Sequence, residues 1–457
     1  MISNIVVVDV NHGGLILINA FKKITKSNLF ICDIYNKLTK EDIKELKKEN
    51  INIVNKETIS DINNCIVIGP VHTPPFIHID YTHHQAVNYI LKKYKKIYNF
   101  DFKIVEVTGV KGKTTVVNII SEILSDYNVL VLTSNGLIYK SKEKTIKLIE
   151  NISITPASII TAFNKVIDMN LLSSIDICVF EVSLGVSSFC DIGVLTNIVE
   201  DYPISYNTSS ASIAKQNIFN CRKSLCEKET YETYYKNFPY SNLFTIKDHP
   251  LKHEISCNNI KYDYYNTNFI LEYNNLVTIT DSHISGNLNI TCFGLSDYYI
   301  KNICASICCC LMLEINPNII QKQLKNINPI PGRSSYYKKN NTLIFEEINP
   351  GLNISSIKES IKNIKRYAKN PTIILGGEYG ITCEEINEIS LINYLNKIKD
   401  EINLIFTDEL GYNLYKSIED KKYYKKLDTA INDSIKNKDI NIILIIYRSN
   451  YYNLAKR

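Results

Sequence analysis

Short apolar runs alternate with longer amphipathic stretches along the chain. The apolar runs have the length of buried strands and lie at residues 5–10, 28–32, 65–68, 104–108, 129–133, 175–182, 193–198 and 372–375. An apolar helix is expected directly after His12-Gly13-Gly14. Strands that alternate with helices are typical of parallel sheets covered by helices, so the pattern predicts an α/β fold.

The length of 457 residues exceeds what one hydrophobic core usually supports. We predict three domains, over residues 1–98, 99–328 and 329–457. The formal net charge of +5 is modest and spread along the sequence. Nucleic acid is therefore not implied as a partner. The sequence still allows local basic pockets that bind a multiply acidic small molecule.

Apolar segments are too short for a membrane protein, because no run reaches the roughly eighteen residues that a membrane span needs. No secretory signal follows Met1. We expect a cytoplasmic protein without a membrane partner, and the sequence leaves its oligomeric state open.

The thirteen cysteines lack the paired C-x-x-C spacing of zinc sites. Four of them, Cys304, Cys308, Cys309 and Cys310, lie on one predicted helix. We interpret the cysteines as small apolar core residues of a reducing cell. The alternative is an iron–sulfur cluster on that helix.

Residues 104–115 read I-V-E-V-T-G-V-K-G-K-T-T, a strand that runs into a glycine turn and then a helix. Gly109 and Gly112 let backbone amides approach phosphate oxygens, and the helix N-terminus adds positive potential. Lys113 can reach the terminal phosphates, and Thr114 can place its hydroxyl oxygen on Mg²⁺. The pattern predicts an enzyme that uses a nucleotide. The alternative is a chance match in a surface turn.

Two charged residues follow later strands of the same region. Glu181 lies near the end of the run at 176–183, where a phosphate-loop enzyme needs a second anchor for Mg²⁺. The alternative is a strand-end residue that only reaches solvent. Lys215 lies on a predicted helix after the segment 196–201, and beside a metal site it could pair with phosphate.

Four histidines lie near predicted strand ends of the first region. His12 and His72 follow strands, and ligands of parallel sheets bind beyond the carboxyl ends of strands. His83 and His84 precede a predicted helix at 85–96, where the pair could contact a substrate carboxylate or a metal. The alternative is that His83 caps or begins this helix.

The phosphate loop resembles that of the Mur ligases, ATP-dependent ligases that activate a carboxylate as an acyl phosphate. The similar segment is T-G-x-x-G-K-T-T at 108–115, which includes Lys111 and Thr115, and the resemblance covers most of the chain. It implies a three-domain architecture with an N-terminal Rossmann-like substrate domain, a central P-loop ATP-binding domain and a C-terminal α/β ligase domain. ATP would bind the loop, and Mg²⁺ would bind Glu181 and Thr114.

Further roles are implied by the same resemblance. Asn302 looks like the adenine-contacting asparagine, and Arg333 looks like the hinge arginine that contacts the γ-phosphate. Lys215 looks like a helix lysine that is often carbamylated to hold a second Mg²⁺. Lys113, Lys215 and Arg333 would then be catalytic. Tyr202 stands where the family has a metal-binding histidine, which is a departure at the second metal site.

The C-terminal region also departs from cell-wall Mur ligases, because residues 376–380 read G-G-E-Y-G in place of G-G-D-R-D. Local signatures resemble instead a branch of Mur-like ligases of methanogenic archaea, which closes the last carbocycle of a nickel tetrapyrrole. These signatures lie at residues 8–14, 70–72, 82–87, 153–158, 181–185, 191–196, 200–204 and 331–333. In this branch, Asp201 or Glu200 would supply the oxygen ligand for the metal.

The resemblance implies a two-step reaction. A propionate carboxylate of a nickel seco-tetrapyrrole attacks Mg-ATP, and a carbon nucleophile of the same macrocycle then displaces phosphate to close the ring. His12, His72, His83 and His84 are candidates for the base, because imidazole titrates near neutral pH. The sequence does not choose among them.

Three alternatives stay open. An amide ligase of archaeal cell-wall synthesis would need the amino-acid-binding residues that the C-terminal region lacks. A phosphate-loop NTPase that switches conformation would need a partner and no small acid. A non-enzymatic carrier of nickel or tetrapyrrole would have no use for the phosphate loop.

Overall fold

The computed structural model describes residues 4–247, 249–263, 266–380, 386–437 and 440–449. It separates into two compact units: Met1–Cys292 with Asp297–Ile327, and Phe293–Ser296 with Asn328–Arg457. The expected boundary at 328 is close to this division. The expected boundary at 98 lies inside the first unit, where a division into separate domains stays a prediction.

A five-stranded parallel sheet is formed by the first hundred residues. Its strands are β1 (Asn4–Val8), β2 (Asn28–Cys32), β3 (Asn52–Val54), β4 (Cys65–Gly69) and β5 (Tyr81–Thr82). Their order is β3-β2-β1-β4-β5. The strand order reverses at β1: β2 and β3 lie on one side of it, and β4 and β5 lie on the other. The loops after β1 and β4 therefore leave the sheet side by side, at the position where such sheets bind ligands.

The helices of this region are α1 (Leu15–Ile24), α2 (Lys40–Lys48) and α3 (His83–Tyr98). A capping box begins α3, since Thr82 Oγ1 accepts from Gln85 N and Gln85 Oε1 accepts from Thr82 N. The helix ends at Asn99, whose left-handed backbone stops the helical hydrogen bonds. Its buried face includes Ile90 and Leu91 and belongs to one continuous core with α1 and the helix at 157–168. Burying each such side chain contributes roughly 1.5–3 kcal/mol.

An eleven-stranded sheet forms the rest of the first unit. Its strands are β6 (Lys103–Thr108), β7 (Val129–Thr133), β8 (Gly136–Lys140), β9 (Thr145–Glu150), β10 (Ile177–Glu181), β11 (Ile192–Leu195), β14 (Lys223–Glu227), β15 (Asn242–Thr245), β16 (Glu254–Lys261), β17 (Thr267–Val277) and β18 (His283–Cys292). A separate two-stranded ribbon pairs β12 (Pro203–Ile204) with β13 (Ser209–Ser210). The order is β18-β17-β16-β15-β14-β11-β6-β10-β7-β8-β9. The middle of the sheet is parallel, and antiparallel strands extend both edges.

The helices of the second sheet are α4 (Lys113–Ile123), α5 (Ala157–Asp168), α6 (Ala211–Lys215), α7 (Lys228–Tyr234), α8 (Asp297–Met312) and α9 (Pro317–Leu324). Helix α8 packs against α4 and is buried around most of its circumference. Its four cysteines are free and fully buried. Burial raises the pKa of the Cys308 and Cys310 thiols well above the ordinary value. Thiols kept protonated suit core packing better than cluster ligation.

The second unit is a six-stranded sheet with helices. Its elements are β19 (Arg333–Lys339), β20 (Thr342–Ile348), α10 (Ile354–Ile364), β21 (Thr372–Gly377), α11 (Glu388–Ile398), β22 (Asn403–Thr407), α12 (Asp408–Tyr415), β23 (Lys422–Tyr424), α13 (Leu427–Lys436) and β24 (Ile442–Arg448). The order is β19-β20-β24-β21-β22-β23, in which β19 and β20 are antiparallel and the other neighbours are parallel. The predicted α/β class is confirmed in both units.

The predicted end of the first strand was wrong. The first strand ends at Val8 and not at residue 10, because Asp9 has a φ of 74° that an extended strand cannot continue. A π-helical turn over Val10–Gly14 follows it directly. The helix of the phosphate loop begins at Lys113.

Candidate active site

The predicted phosphate loop joins the central strand β6 to helix α4. Gly109 and Gly112 have φ values of 146° and 85°. A Cβ atom on Gly112 would lie 2.3 Å from Asn302 Oδ1, and one on Gly109 would lie 2.0 Å from Thr196 Oγ1. Only glycine fits both positions, and the small residues leave the backbone amides of the turn close to any bound anion.

Side chains of the loop after β11 hold the turn in place. Asn197 Oδ1 accepts from Lys111 N at 3.1 Å, and Asn197 Nδ2 donates to Lys111 O at 3.1 Å. Thr196 Oγ1 donates to the same carbonyl at 2.5 Å. Lys113 Nζ donates to Gly109 O at 3.1 Å, so its ammonium lies across the turn. The bracing role of Asn197 was not foreseen, although the T-N segment itself was noted.

Thr114 and Glu181 are brought together, as the sequence predicted. The Thr114 hydroxyl lies 3.0 Å from each carboxylate oxygen of Glu181, and Ser134 N donates to Glu181 Oε2 at 3.2 Å. Both side chains are buried. Glu181 is thus not a strand-end residue that merely reaches solvent. A hydroxyl and a carboxylate at the start of the phosphate-loop helix form the kind of oxygen ligand set that suits Mg²⁺.

Lys215 lies at the end of α6 and is buried, with 1% of its surface exposed. Its Nζ lies 5.7 Å from the centroid of the Tyr202 ring. The residue that departs from the family pattern therefore faces this lysine. Asp201 accepts from Ser212 N at 2.8 Å and from Ser212 Oγ at 2.7 Å, which anchors the first turn of α6. Glu200 is exposed.

Asn302 and Arg333 belong to different units. Asn302 lies on α8 beside Gly112, next to the phosphate loop. Arg333 begins β19 in the second unit, opposite Glu347 on β20. Burial raises the pKa of Glu347 to about 7, although Ser334 and Arg333 lower it. The role of Arg333 at the phosphates stays a prediction.

The four histidines divide into two pairs. His12 and His72 are partly exposed and converge on Asp9, which is fully buried. Burial alone would raise the pKa of Asp9, but hydrogen bonds from His12 and His72 outweigh it and hold that pKa well below its usual range. Asp9 was not singled out from the sequence, although the spacing D-x-x-H was a usable signal.

His83 and His84 are buried on α3. The His83 ring nitrogens lie 3.3 Å from His12 O and 3.1 Å from Val8 O, and His84 Nε2 lies 3.2 Å from Ser183 O. Burial lowers the pKa of each to about 4. His83 also begins α3, as the structural alternative expected. His83 thus holds the loop after β1, whereas His84 links α3 to the loop after β10 and lines a cavity of the first unit.

Glu106 is a second acidic residue, and it was not foreseen from the sequence. It lies fully buried on β6, and its carboxylate accepts from Ser187 N at 2.5 Å and from the Ser187 hydroxyl. Burial raises the pKa of Glu106 to about 7, although these hydrogen bonds lower it. The pair fixes the loop that follows Glu181, so it supports the site without facing it.

A cavity of about 920 Å³ lies in the first unit between the two sheets. It is lined by apolar side chains of β1, β4 and α3, and by amide and hydroxyl groups that include Asn88, Ser188, Asn217 and Asn220. Its volume is at the upper end of the range of about 300–1,000 Å³ that is usual for ligand pockets. Ala214, the neighbour of Lys215, also lines it.

The chain is similar to known proteins over most of its length. Residues 336–450 match the family described as coenzyme F430 synthetase CfbE, C-terminal domain. Coenzyme F(430) synthetase of Methanocaldococcus jannaschii is 28% identical over 424 residues, which cover 91% of this chain and 93% of that protein. The enzyme of that name from Methanosarcina acetivorans is 25% identical over 430 residues, or 86% of this chain and 87% of that protein. The chain is similar to the coenzyme F(430) synthetases.

The fold is that of the Mur ligases, as predicted. MurF ligase from Thermotoga maritima in complex with ADP aligns with a TM-score of 0.59 at 13% identity, over 95% of each chain. The similarity to the coenzyme F(430) synthetases extends over both units, because it covers far more than the C-terminal region. Within the part of the chain that the structure describes, no helix has the length and apolarity to cross a bilayer.

Proposed function

We propose that the chain is an ATP-dependent ligase that activates a propionate carboxylate of a nickel seco-tetrapyrrole and closes its last carbocycle, giving coenzyme F(430). The observation that carries the proposal is the junction of Thr114 with Glu181 at the end of an intact phosphate loop. The names of the two relatives supply the substrate class.

ATP would be held by the turn from Gly109 to Thr115. Its backbone amides and the N-terminus of α4 favour phosphate. The Lys113 ammonium, which donates to Gly109 O, can turn to a terminal phosphate instead. Asn302, beside the turn, is placed to contact the nucleotide. Arg333 would contribute its guanidinium to the γ-phosphate.

Thr114 and Glu181 fit a Mg²⁺ ion, because both offer the oxygen atoms that this ion prefers as ligands. When bound, Mg²⁺ neutralises charge on the phosphoryl oxygens. Asp201 is a further candidate ligand, although its oxygens also anchor α6. The carbamylation of Lys215 stays part of the proposal.

In the first step, the propionate oxygen forms a bond to the γ-phosphorus and ADP leaves, which gives an acyl phosphate. In the second step, a deprotonated carbon of the same macrocycle attacks the acyl carbon and phosphate leaves. Attack within one bound molecule gains greatly from proximity. Lys113 stabilises the charge of the phosphoryl group in the first step, and a carbamylated Lys215 would hold a second Mg²⁺. The cavity beside Ala214 has the volume for a large ligand.

The first experiment measures phosphate release from Mg-ATP with and without the nickel seco-tetrapyrrole acid, while mass spectrometry follows the macrocycle. We expect phosphate release that depends on this acid, together with loss of one water from the macrocycle. Lys113→Ala should lower the rate about 10²- to 10³-fold, because it removes a charge aimed at the transferred phosphoryl group. Lys142→Ala, at an exposed position of the same sheet region, is the matched control.

Stimulation by a nucleotide-linked peptide with an amino acid, and not by the tetrapyrrole acid, would assign the chain to the amide ligases. ATP hydrolysis that needs neither acid would point to a switching NTPase. In both cases the roles of Lys113 and Glu181 would stand, and the tetrapyrrole would be withdrawn.

A further inference from the structure

We propose that Asp9, His12 and His72 form a binding site for a divalent transition-metal ion such as Zn²⁺, separate from the Mg²⁺ that would accompany ATP. The three side chains come from the loops after β1 and β4, sixty residues apart in sequence. These loops meet where the strand order of the first sheet reverses, which is the usual place for a ligand in such sheets.

The three donor atoms are spaced as ligands of one metal. His12 Nδ1 lies 3.1 Å from His72 Nε2, and Asp9 Oδ2 lies 3.5 Å from His72 Nε2 and 2.5 Å from His12 Nδ1. Ligands with bonds of about 2.0–2.1 Å to a tetrahedral ion lie roughly 3.3–3.4 Å apart. Two of the three separations are close to that value, and a small rotation of the His12 ring would widen the third.

Protons satisfy the three donor atoms of this cluster less completely than a cation would. If both imidazole nitrogens carry a proton for Asp9 Oδ2, two N–H groups face each other at 3.1 Å. If one of the two nitrogens has no proton, it cannot donate a hydrogen bond to Asp9 Oδ2. Its neighbour is then the N–H of the other ring, which already donates to Asp9 Oδ2. A metal ion replaces these protons and satisfies the carboxylate oxygen and both nitrogens at once.

The backbone around the site is fixed in an unusual conformation. Asp9 has a φ of 74°, and its Oδ1 accepts from Asn11 N at 2.8 Å, which turns Oδ2 toward the histidines. A Cβ on Gly14 would lie 2.1 Å from Asp9 O, so the loop requires glycine there. Strained backbone that the surroundings enforce is found preferentially at functional sites. His83 braces the same loop through the carbonyls of Val8 and His12.

The site has an open side. Asp9 is fully buried, whereas 42% of the His12 side chain and 22% of the His72 side chain are exposed. Three protein ligands with a free position are characteristic of metal sites that bind a further ligand. A carboxylate is the class of ligand that the fourth position would take, because a multiply acidic substrate offers oxygen atoms. Failure of this inference would leave the ATP chemistry untouched.

The test uses the full chain, freed of metals with a chelator, loaded with Zn²⁺ and desalted. Metal analysis should find about one Zn²⁺ retained per chain. Titration with Co²⁺ as a second probe should give the intense visible absorption of a four-coordinate ion, and Zn²⁺ should abolish it. Neither readout depends on turnover.

His72→Ala and His12→Ala should each weaken Zn²⁺ binding at least about a hundredfold, because each removes a ligand. His78→Ala is the matched control, since His78 lies in the same region, is exposed and has a carboxylate neighbour in Asp80. A wild-type chain that retains no Zn²⁺, or two ligand variants that retain as much as His78→Ala, would overturn the site. If one variant fails to fold, the other variant and the Co²⁺ spectrum still decide.

Discussion

At the scale of single residues, buried polar groups determine the form of the site. Glu106 on β6 is buried and binds Ser187 in the loop after β10, whereas Glu181 one strand away reaches Thr114. Burial disfavours the charged form of a carboxyl group, and this makes the stability of the molecule depend on pH.

We predict that Glu106→Gln changes the pH dependence of stability. The pKa of Glu106 is raised from 4.5 to about 7, so its favourable contribution is fully present below pH 4.5 and is lost as the pH rises through 7. The variant cannot ionise. Urea unfolding should therefore find the variant more stable than wild type at pH 8, by up to about 3 kcal/mol, and similar to it at pH 4.5.

The control for this prediction is Glu143→Gln, at an exposed position. A difference in unfolding free energy between Glu106→Gln and wild type that stays constant from pH 4.5 to 8 would contradict the assignment.

The glycines of the phosphate loop give a second prediction. Gly112→Ala would place a methyl group 2.3 Å from Asn302 Oδ1 at a φ of 85°. Strain of about 1–3 kcal/mol should weaken binding of a non-hydrolysable ATP analogue roughly ten- to hundredfold by calorimetry. Gly351→Ala is the control, because a methyl group at that position would have no atom of the described residues within 4 Å. Equal affinities of the two variants would count against the loop geometry.

At the scale of elements, helix α3 joins the two sheets of the first unit. Its apolar face packs against α1 and α5, and His84 reaches Ser183 in the loop after β10. The start of α3 is set locally by the capping box of Thr82 and Gln85. The element that links the two sheets is thus defined by a four-residue signal.

Thr82→Ala should lower the free energy of unfolding by about 1 kcal/mol, because it removes the acceptor for Gln85 N. Thr233→Ala is an informative control, since the Thr233 hydroxyl donates to Glu229 O within α7, where alanine is the better helix former. We expect that control to be neutral or slightly stabilising in urea unfolding. A loss at Thr233 that matches the loss at Thr82 would argue against the cap.

At the scale of the whole molecule, the first two of the three predicted domains lie within one compact unit. A single core cluster contains Ile5 and Ile18 from the first region and Phe163, Phe180 and Cys190 from the second. Two sheets that share one core should resist separation.

Limited proteolysis distinguishes the two divisions. Trypsin can cleave after lysines at both boundaries, since Lys96 and Lys325 are exposed. We expect early cleavage after Lys325, where the first unit ends, and protection near residue 98, where α3 is held in the shared core. Early cleavage at Lys96, identified by mass spectrometry of the fragments, would support a domain boundary near residue 98.

The sequence alone determined the features that lie within one short segment. The phosphate loop is a strand, a turn and a helix start in twelve residues, so the glycines, Lys113 and Thr114 could be assigned from spacing. Eight strands were predicted from apolar runs, whereas the parallel strands β14, β15, β22 and β24 were not. Strands β16 to β18 were missed, although alternation at Phe269, Leu271 and Tyr273 carried a signal.

Only the tertiary structure decided which distant side chains meet. Asp9 and His12 are three residues apart, but His72 joins them from a loop sixty residues later because β4 lies beside β1. Glu106 and Ser187 are separated by 81 residues. Local periodicity reports which face of an element is buried, whereas such contacts depend on strand order, and strand order follows from the packing of the whole core.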